Sequence, residues 1–223
     1  MISIIMPAWN REAYLADTIE SIIGQSYKDF ELIIVDDGST DDSKFLYDYY
    51  TKKDKRIKVL YVEHGGISKA RNEGISVSQG EYICVMDSDD LMVKDRLKVS
   101  LKAIDGYDFV YSPYAIHRGG EIQVVDTPKK ITFEDVKKNG AWPHVTIMAK
   151  RECFIENPYR DDFIVNDDAW LVWKWFQAGY KAKRITKPMV LVKIHESNIT
   201  KRRPEIERTQ KIMDAAYEAS GNN

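Results

Sequence analysis

The stretch Gly80-Glu81-Tyr82-Ile83-Cys84-Val85-Met86-Asp87-Ser88-Asp89-Asp90 constrains the fold of this chain more than any other. Tyr82 to Met86 is an unbroken apolar run, rich in β-formers and without polar alternation. A run of that length and composition predicts a strand buried on both faces. It stops at three carboxylates within four positions. Charged side chains are almost never buried without a partner, so the run delivers an acidic cluster to the carboxyl end of an interior strand. In open α/β sheets that end is where ligands bind. Carboxylates so close together repel, and a divalent cation relieves the repulsion. Hard cations such as Mg2+ take oxygen ligands, commonly one or two carboxylates plus the phosphates of a substrate.

The first half of the chain alternates strand and helix around this stretch. Residues 2–6 predict a strand, and Asn10 is placed to cap a helix whose apolar face carries Leu15, Ile19, Ile22 and Ile23, with Gly24 as its stop. Residues 31–35 predict a second strand, followed by the acidic segment 36–42, in which Asp41 and Asp42 would cap a helix over 43–53. A third strand over 57–62 and a helix over 67–77 lead back to the central run. Strands separated by helices imply βαβ units with right-handed crossovers. The expected fold class is therefore α/β: a Rossmann-like, mostly parallel central sheet flanked by helices. Pro7, Ala8, Trp9 and Asn10 follow the first strand in place of a glycine-rich fingerprint. That argues against a dinucleotide dehydrogenase and against a sugar-nucleotide pyrophosphorylase, which needs a basic, glycine-rich phosphate loop there.

The second half is more mixed. It predicts a helix over 94–103 that Asp90 would cap, a strand over 109–112, and a hairpin turning at Arg118-Gly119-Gly120-Glu121. A capping box follows at residues 132–135, then a strand over 145–149 and an aromatic helix over 169–178 closed by Gly179. Short strands over 180–185 and 189–194 precede a last helix that opens near Pro204. Nothing in the composition forces a boundary, so the chain reads as one domain over 1–223. It divides near residue 112 into a first half, 1–112, and a second half, 113–223, that includes the C-terminal helix.

Composition narrows the partners. The 223 residues are 43% hydrophobic and 30% charged with a net charge of −2, which gives no general electrostatic drive toward nucleic acid. Cys84 and Cys153 lack metal-ligand spacing and read as buried, reduced thiols, which suits a cytoplasmic setting. No apolar stretch approaches the roughly 20 residues needed to span a bilayer.

Several spaced segments together resemble the family 2 glycosyltransferases, inverting enzymes of the GT-A fold. They are ISIIMPAWN, ELIIVDDGSTDDS, HGGISKARNEGI, GEYICVMDSDD, NDDAWLVWKWFQAGYKAK and VKIHESNIT, and they span most of the chain in the family's order. The resemblance implies a hexosyltransferase-type enzyme with a nucleotide-sugar donor, Mn2+ or Mg2+, and a carbohydrate or lipid-linked carbohydrate acceptor in surface polysaccharide or glycoconjugate synthesis. A lipid-linked acceptor would allow peripheral association with the inner face of a membrane through the C-terminal helix, for which packing on the core is the plainer role. The alternatives are a nucleotide-sugar binding module without turnover and a sugar-nucleotide pyrophosphorylase.

The same resemblance implies that 1–112 is the donor-binding half and 113–223 the acceptor-binding half, and residue roles follow from it. Pro7, Ala8, Trp9 and Asn10 border the base, with Trp9 offering a face for stacking. Asp36 and Asp37 occupy a motif in which a carboxylate accepts the N–H of the base. Uracil and guanine present such an N–H, and a UDP-sugar is the favoured donor. Arg71 corresponds to a position that reaches the base or diphosphate. Asp87 and Ser88 lie at the donor, and Asp87 and Asp89 form the metal motif, joined by His195. Asp168 is the expected general base. Asp167 stands where the family usually has Glu, and with Trp142 it is a candidate for the acceptor side.

Overall fold

The computed structural model describes residues 1–118, 120–129, 144–161 and 167–195. The expected capping box at 132–135, Trp142, and everything after His195, including the last helix and Lys201, Arg202 and Arg203, lie outside the described residues.

Among the described residues, seven strands form the main sheet. In chain order these are β1 (Ile2–Ala8), β2 (Phe30–Asp36), β3 (Ile57–Tyr61), β4 (Tyr82–Val85), β6 (Phe109–Tyr111), β9 (Met148–Lys150) and β10 (Ala182–Arg184). Their spatial order is β10-β6-β9-β4-β1-β2-β3. β1 lies between β2 and β4 with both pairings parallel, and β3 extends β2 in parallel. Among the described strands of this sheet β9 alone runs antiparallel, wedged between β4 and β6. The central acidic strand is thus buried in the middle of the sheet, as its composition predicts. The antiparallel β9 was not foreseen: its three residues are too short to carry a period that would reveal direction. The strand expected over 145–149 resolves into a 3-10 turn at His144–Thr146 and then β9.

Helices cover both faces. α1 (Leu15–Ile23) and α2 (Ser43–Lys53) pack on one face, with Leu15, Ile19, Ile22, Tyr47 and Tyr50 against Ile2, Ile4, Met6 and Leu32. α3 (Ile67–Val77), α5 (Arg151–Glu156) and α6 (Asp167–Gln177) pack on the other, with Ala70, Ile75, Phe154, Trp173 and Trp175 against Ile5, Ile33, Val35 and Ile83. Each such side chain fully removed from water contributes about 1.5–3 kcal/mol, which explains why β1 and β2 tolerate no polar alternation. α4 (Arg96–Ala103) follows the acidic turn.

A second sheet of four strands stands beside the first, in the order β5-β11-β7-β8. Its members are β5 (Leu91–Met92), β7 (Tyr114–Arg118), β8 (Glu121–Val125) and β11 (Val190–Lys193). β7 and β8 form the expected hairpin, with Gly120 in the left-handed region at φ 88°.

Two expected caps are corrected. Asn10 does not cap α1. It is left-handed at φ 51°, and its side-chain oxygen accepts the Thr40 N–H at 2.8 Å, which ties the turn after β1 to the loop after β2. α1 begins only at Leu15, with Tyr14 at its N-cap. Asp90 does not cap α4, whose N-cap is Asp95. Asp90 is buried and its Oδ1 accepts the Lys193 N–H of β11 at 3.0 Å.

At the opposite end of the sheet, the entry to β4 is held by a small polar network. Ser3 Oγ donates to Glu31, and Gly80 N–H donates to Ser3 Oγ at 2.8 Å. A Cβ on Gly80 would lie 2.5 Å from the Ser3 nitrogen, so this close approach of two backbones requires glycine.

Candidate active site

The carboxyl ends of β1, β2 and β4 meet along one edge of the main sheet. On its left flank, Trp9 is 43% exposed and its indole stacks on the His64 ring, with centroids 4.7 Å apart and planes inclined by 26°. His64 is oriented by Asp37: its Nδ1 lies 3.0 Å from the Asp37 carboxylate and 2.9 Å from the Asp37 carbonyl oxygen. The two Asp37 side-chain oxygens also accept the backbone N–H groups of Gly65 and Gly66, at 2.8 and 3.0 Å. Asp36, at the end of β2, accepts the Ser39 N–H at 3.2 Å. Pro7 and Ala8 are buried in β1, so they shape this flank through the backbone.

The acidic turn after β4 is held rigidly. Thr18 of α1 donates its hydroxyl to the carbonyl oxygens of Ser88 and Asp90, at 3.1 and 2.8 Å. Asp89 Oδ2 faces His195 Nε2 at 3.0 Å and Arg11 Nε at 3.5 Å. The His195 ring stacks on Tyr14 at 4.3 Å between centroids. The bond from Lys193 to Asp90 fixes the end of β11 two residues before this histidine. Burial, then the charges of Asp87 and Asp89, hold the Asp90 carboxyl well above the usual carboxylate range. Beneath the turn lies Arg96, fully buried, donating to the carbonyl oxygens of Val85 and Ile147 at 3.0 and 3.3 Å. It is a buried cation under a cluster of carboxylates. Its own pKa is lowered, by burial first.

The second carboxylate pair opens α6. Asp167 is buried. Its Oδ2 accepts from Ser68 Oγ at 3.0 Å and from Arg71 Nη1 at 2.7 Å. Its Oδ1 accepts the N–H of Asp168 at 3.0 Å. Arg71 Nη2 reaches the other way, to Asp87 Oδ1 at 2.9 Å. One guanidinium therefore joins the first aspartate of the acidic turn to the pair on α6. Asp168 is half-buried, and its Oδ1 accepts the Ala169 N–H at 2.8 Å. Burial, followed by the neighbouring charge of Asp167, pushes its carboxyl up to about 7. Burial likewise raises the Asp87 carboxyl, and Arg71 opposes the shift.

Behind Arg71 sit Tyr159 and His144, both buried and hydrogen-bonded to each other, with the guanidinium 5.4 Å from the Tyr159 ring centre. Asn72 pins this segment to α3 through the backbone N–H and carbonyl oxygen of Tyr159, at 3.1 and 2.9 Å.

Of the residues expected from sequence, Asp87, Asp89 and His195 come together around the acidic turn, and Asp167 and Asp168 join them through Arg71. Trp9, Asp36 and Asp37 form the adjoining flank. Trp142 lies outside the described residues. Arg11, Tyr14, Thr18, His64, Ser68, Arg96 and Tyr159 were missed. None stands in a motif that announces its partner, though His64 and Ser68 lie within the HGGISKARNEGI segment.

Among the described residues, no group of three or more His, Cys, Asp or Glu side chains could hold a metal ion. The donors present still fit a divalent cation that completes its shell from a substrate. Asp89 and His195 are in contact, and Asp87 lies two residues away with its side chain 37% exposed. Carboxylate with imidazole suits Mn2+ better than Mg2+, which prefers oxygen alone. Both cysteines are buried and free. Among the described residues, no helix is long and apolar enough to cross a membrane.

Known proteins share this architecture. The family model described as glycosyl transferase family 2 matches residues 3–154. An uncharacterized glycosyltransferase of Haemophilus influenzae is 38% identical over 68% of the chain and 63% of its own length. The Escherichia coli protein named UDP-Glc:alpha-D-GlcNAc-diphosphoundecaprenol beta-1,3-glucosyltransferase WfgD is 31% identical over 77% of the chain and 68% of its own length. Against several curated relatives the chain spans less than two thirds of their length, as little as 18% in one from Rickettsia felis. Among solved structures, S. aureus TarS 1-349 in complex with UDP-GlcNAc has a TM-score of 0.76 at 21% identity, covering 90% of the chain and 60% of TarS. Mannosyltransferase PcManGT from Pyrobaculum calidifontis, in complex with GDP-Man and Mn2+, has a TM-score of 0.72 at 17% identity, covering 92% and 60%. The α/β sheet expected from the sequence is accordingly that of the GT-A glycosyltransferases. With a family model over more than half its length and a family sheet carrying the acidic turn at its ligand edge, the chain belongs to glycosyl transferase family 2.

Proposed function

We propose that the chain is an inverting glycosyltransferase that moves a sugar from a nucleotide-sugar donor to an acceptor hydroxyl. The observation that carries this reading is the shared guanidinium of Arg71, which brings Asp87 and the Asp167–Asp168 pair, 80 residues apart, into one site. A donor motif and a carboxylate suited to proton abstraction are then held within one network.

In this reading Asp168 is the general base. Its carboxylate takes the proton of the acceptor hydroxyl as that oxygen bonds to the anomeric carbon. The bond from the anomeric carbon to the donor phosphate oxygen breaks on the opposite face, and the nucleoside diphosphate leaves. A carboxyl pushed up to about 7 is a stronger base than an ordinary aspartate yet is still ionised in a large fraction near neutrality. Asp89 and His195, with Asp87 beside them, would hold a divalent cation. Such a cation, Mn2+ favoured, supplies neutralisation of charge on the leaving diphosphate. Trp9 and Asp37 receive the base, with uracil or guanine satisfying a carboxylate acceptor. The E. coli relative is named for a UDP-sugar donor and a diphosphoundecaprenol-linked acceptor. That supports a UDP-sugar and a lipid-linked acceptor in polysaccharide synthesis here, approached at the inner face of a membrane.

The test is release of nucleoside diphosphate from a panel of UDP- and GDP-sugars with Mn2+ or Mg2+ and undecaprenyl-diphosphate-linked acceptors. Turnover on one donor with product of inverted configuration supports the reading. Tight donor binding without turnover on any acceptor would make the chain a binding module instead.

A further inference from the structure

Arg71 is 4% exposed and sits on α3, the helix before the acidic strand. Its two terminal nitrogens are committed to carboxylates from different parts of the chain, Asp167 at 2.7 Å and Asp87 at 2.9 Å. Its Nε is buried without a partner. Its guanidinium carbon lies 5.4 Å from the centre of the Tyr159 ring, whose segment is pinned to α3 by Asn72. One guanidinium between two carboxylates is a unit of net negative charge. Such a unit gives little attraction to a diphosphate.

From this geometry we propose that Arg71 is a positioning residue for the catalytic carboxylates and not a ligand of the donor's diphosphate. The assignment rests on the proposed transfer reaction and deepens it. The chain of contacts is short. Arg71 and Ser68 both hold Asp167 Oδ2, Asp167 Oδ1 holds the N–H of Asp168, and so the first turn of α6 is placed by α3. The other branch of the fork sets Asp87 at the end of β4. The spacing between Asp87 and Asp167, the neighbour of the proposed base, is thus the span of one rigid, planar group. Lysine cannot reproduce it, because a single ammonium on a flexible stem lacks the two-pronged reach. Without Arg71, Asp87 and Asp167 would face each other with no positive charge between them.

The test compares Arg71→Lys and Arg71→Gln with wild type. UDP and GDP affinity is read by calorimetry with Mn2+, and kcat and donor KM by nucleotide release. Because Arg71 also sets Asp87, a modest loss of nucleotide affinity is expected, but the kcat loss, about 100-fold or more, should exceed it at least tenfold, with Lys retaining more kcat than Gln. A loss of nucleotide affinity as large as the loss of kcat would overturn the assignment and return Arg71 to the donor site. So would a kcat unchanged from wild type. If these variants fail to fold, Ser68→Ala removes a single donor to Asp167. It should lower kcat by about tenfold at unchanged nucleotide affinity, and an unchanged kcat overturns the proposal. Wild-type turnover, measured alongside, reads the transfer reaction separately. A wild type that binds nucleotide but never turns over sinks that reaction, and the affinity ratio of the variants still judges Arg71.

Discussion

His195 Nε2 lies 3.0 Å from Asp89 Oδ2, although 106 residues separate the two in the chain. The contact exists because Asp90, next to Asp89, bonds the backbone of Lys193, close before the histidine. One aspartate of the turn therefore steers β11, and its neighbour meets what β11 delivers.

Removing either member of this pair should weaken a cation bound with the donor. Asp89→Ala is expected to lower UDP affinity in Mn2+ to the value found in EDTA. His195→Ala should lower it less, by about tenfold, and shift the preference from Mn2+ toward Mg2+. Calorimetric titration with each metal checks both. Equal affinity for wild type and Asp89→Ala in Mn2+ would remove the cation from this turn.

Asp168→Asn should keep nucleotide affinity and lower kcat by about 100- to 10,000-fold. Retained turnover would remove Asp168 as the base.

The same residue sets a pH dependence. Burial and the charge of Asp167 place its carboxyl at about 7, above the ordinary aspartate value. Only the ionised form accepts a proton, so kcat should rise about tenfold per pH unit below that value and level off above it. For stability the sign is opposite. The folded state holds this proton more tightly than the unfolded chain does. The group favours folding below its unfolded pKa and loses that contribution as pH rises through about 7. A kcat profile flat from pH 5 to 8 would contradict the assignment.

Trp9→Ala should weaken nucleotide binding by about 5- to 100-fold, the range expected for loss of one aromatic–base stack of about 1–3 kcal/mol. Trp9→Tyr should recover most of it. His64 already covers part of the indole, so fluorescence of Trp9 should respond to UDP. No change in affinity for the alanine variant would place the base elsewhere.

Gly80→Ala tests the fold beneath the site. Its Cβ would meet the backbone of Ser3 at 2.5 Å, where no flexible side chain can give way. A loss of about 1–3 kcal/mol or more is expected in denaturant unfolding. Wild-type stability would show that β1 and the entry to β4 separate freely.

Much of this was legible in the residues. The apolar run before Asp87 could only be an interior strand, because it has no polar face to show to water. Its neighbours in β1 and β2 are buried throughout for the same reason. Helix α2 over residues 43–53 and α3 over 67–77 also match their sequence signals. Buried apolar surface is a local, periodic signal, and it orders strands and helices before any contact between them is known. The acidic cluster and its position at a strand end followed from that order. Long-range polar partners carry no period. Arg71 reads as one more cation on a helix until the fold sets Asp87 and Asp167 on either side of it. Arg96 looks like a surface residue until Val85 of β4 and Ile147, just before β9, offer it two carbonyl oxygens. Asn10 and Asp90 have the chemistry of helix caps, yet each found a better-placed backbone N–H across the fold, at Thr40 and Lys193. A carboxylate or amide chooses among donors by distance and burial, and those distances exist only once the chain has closed on itself.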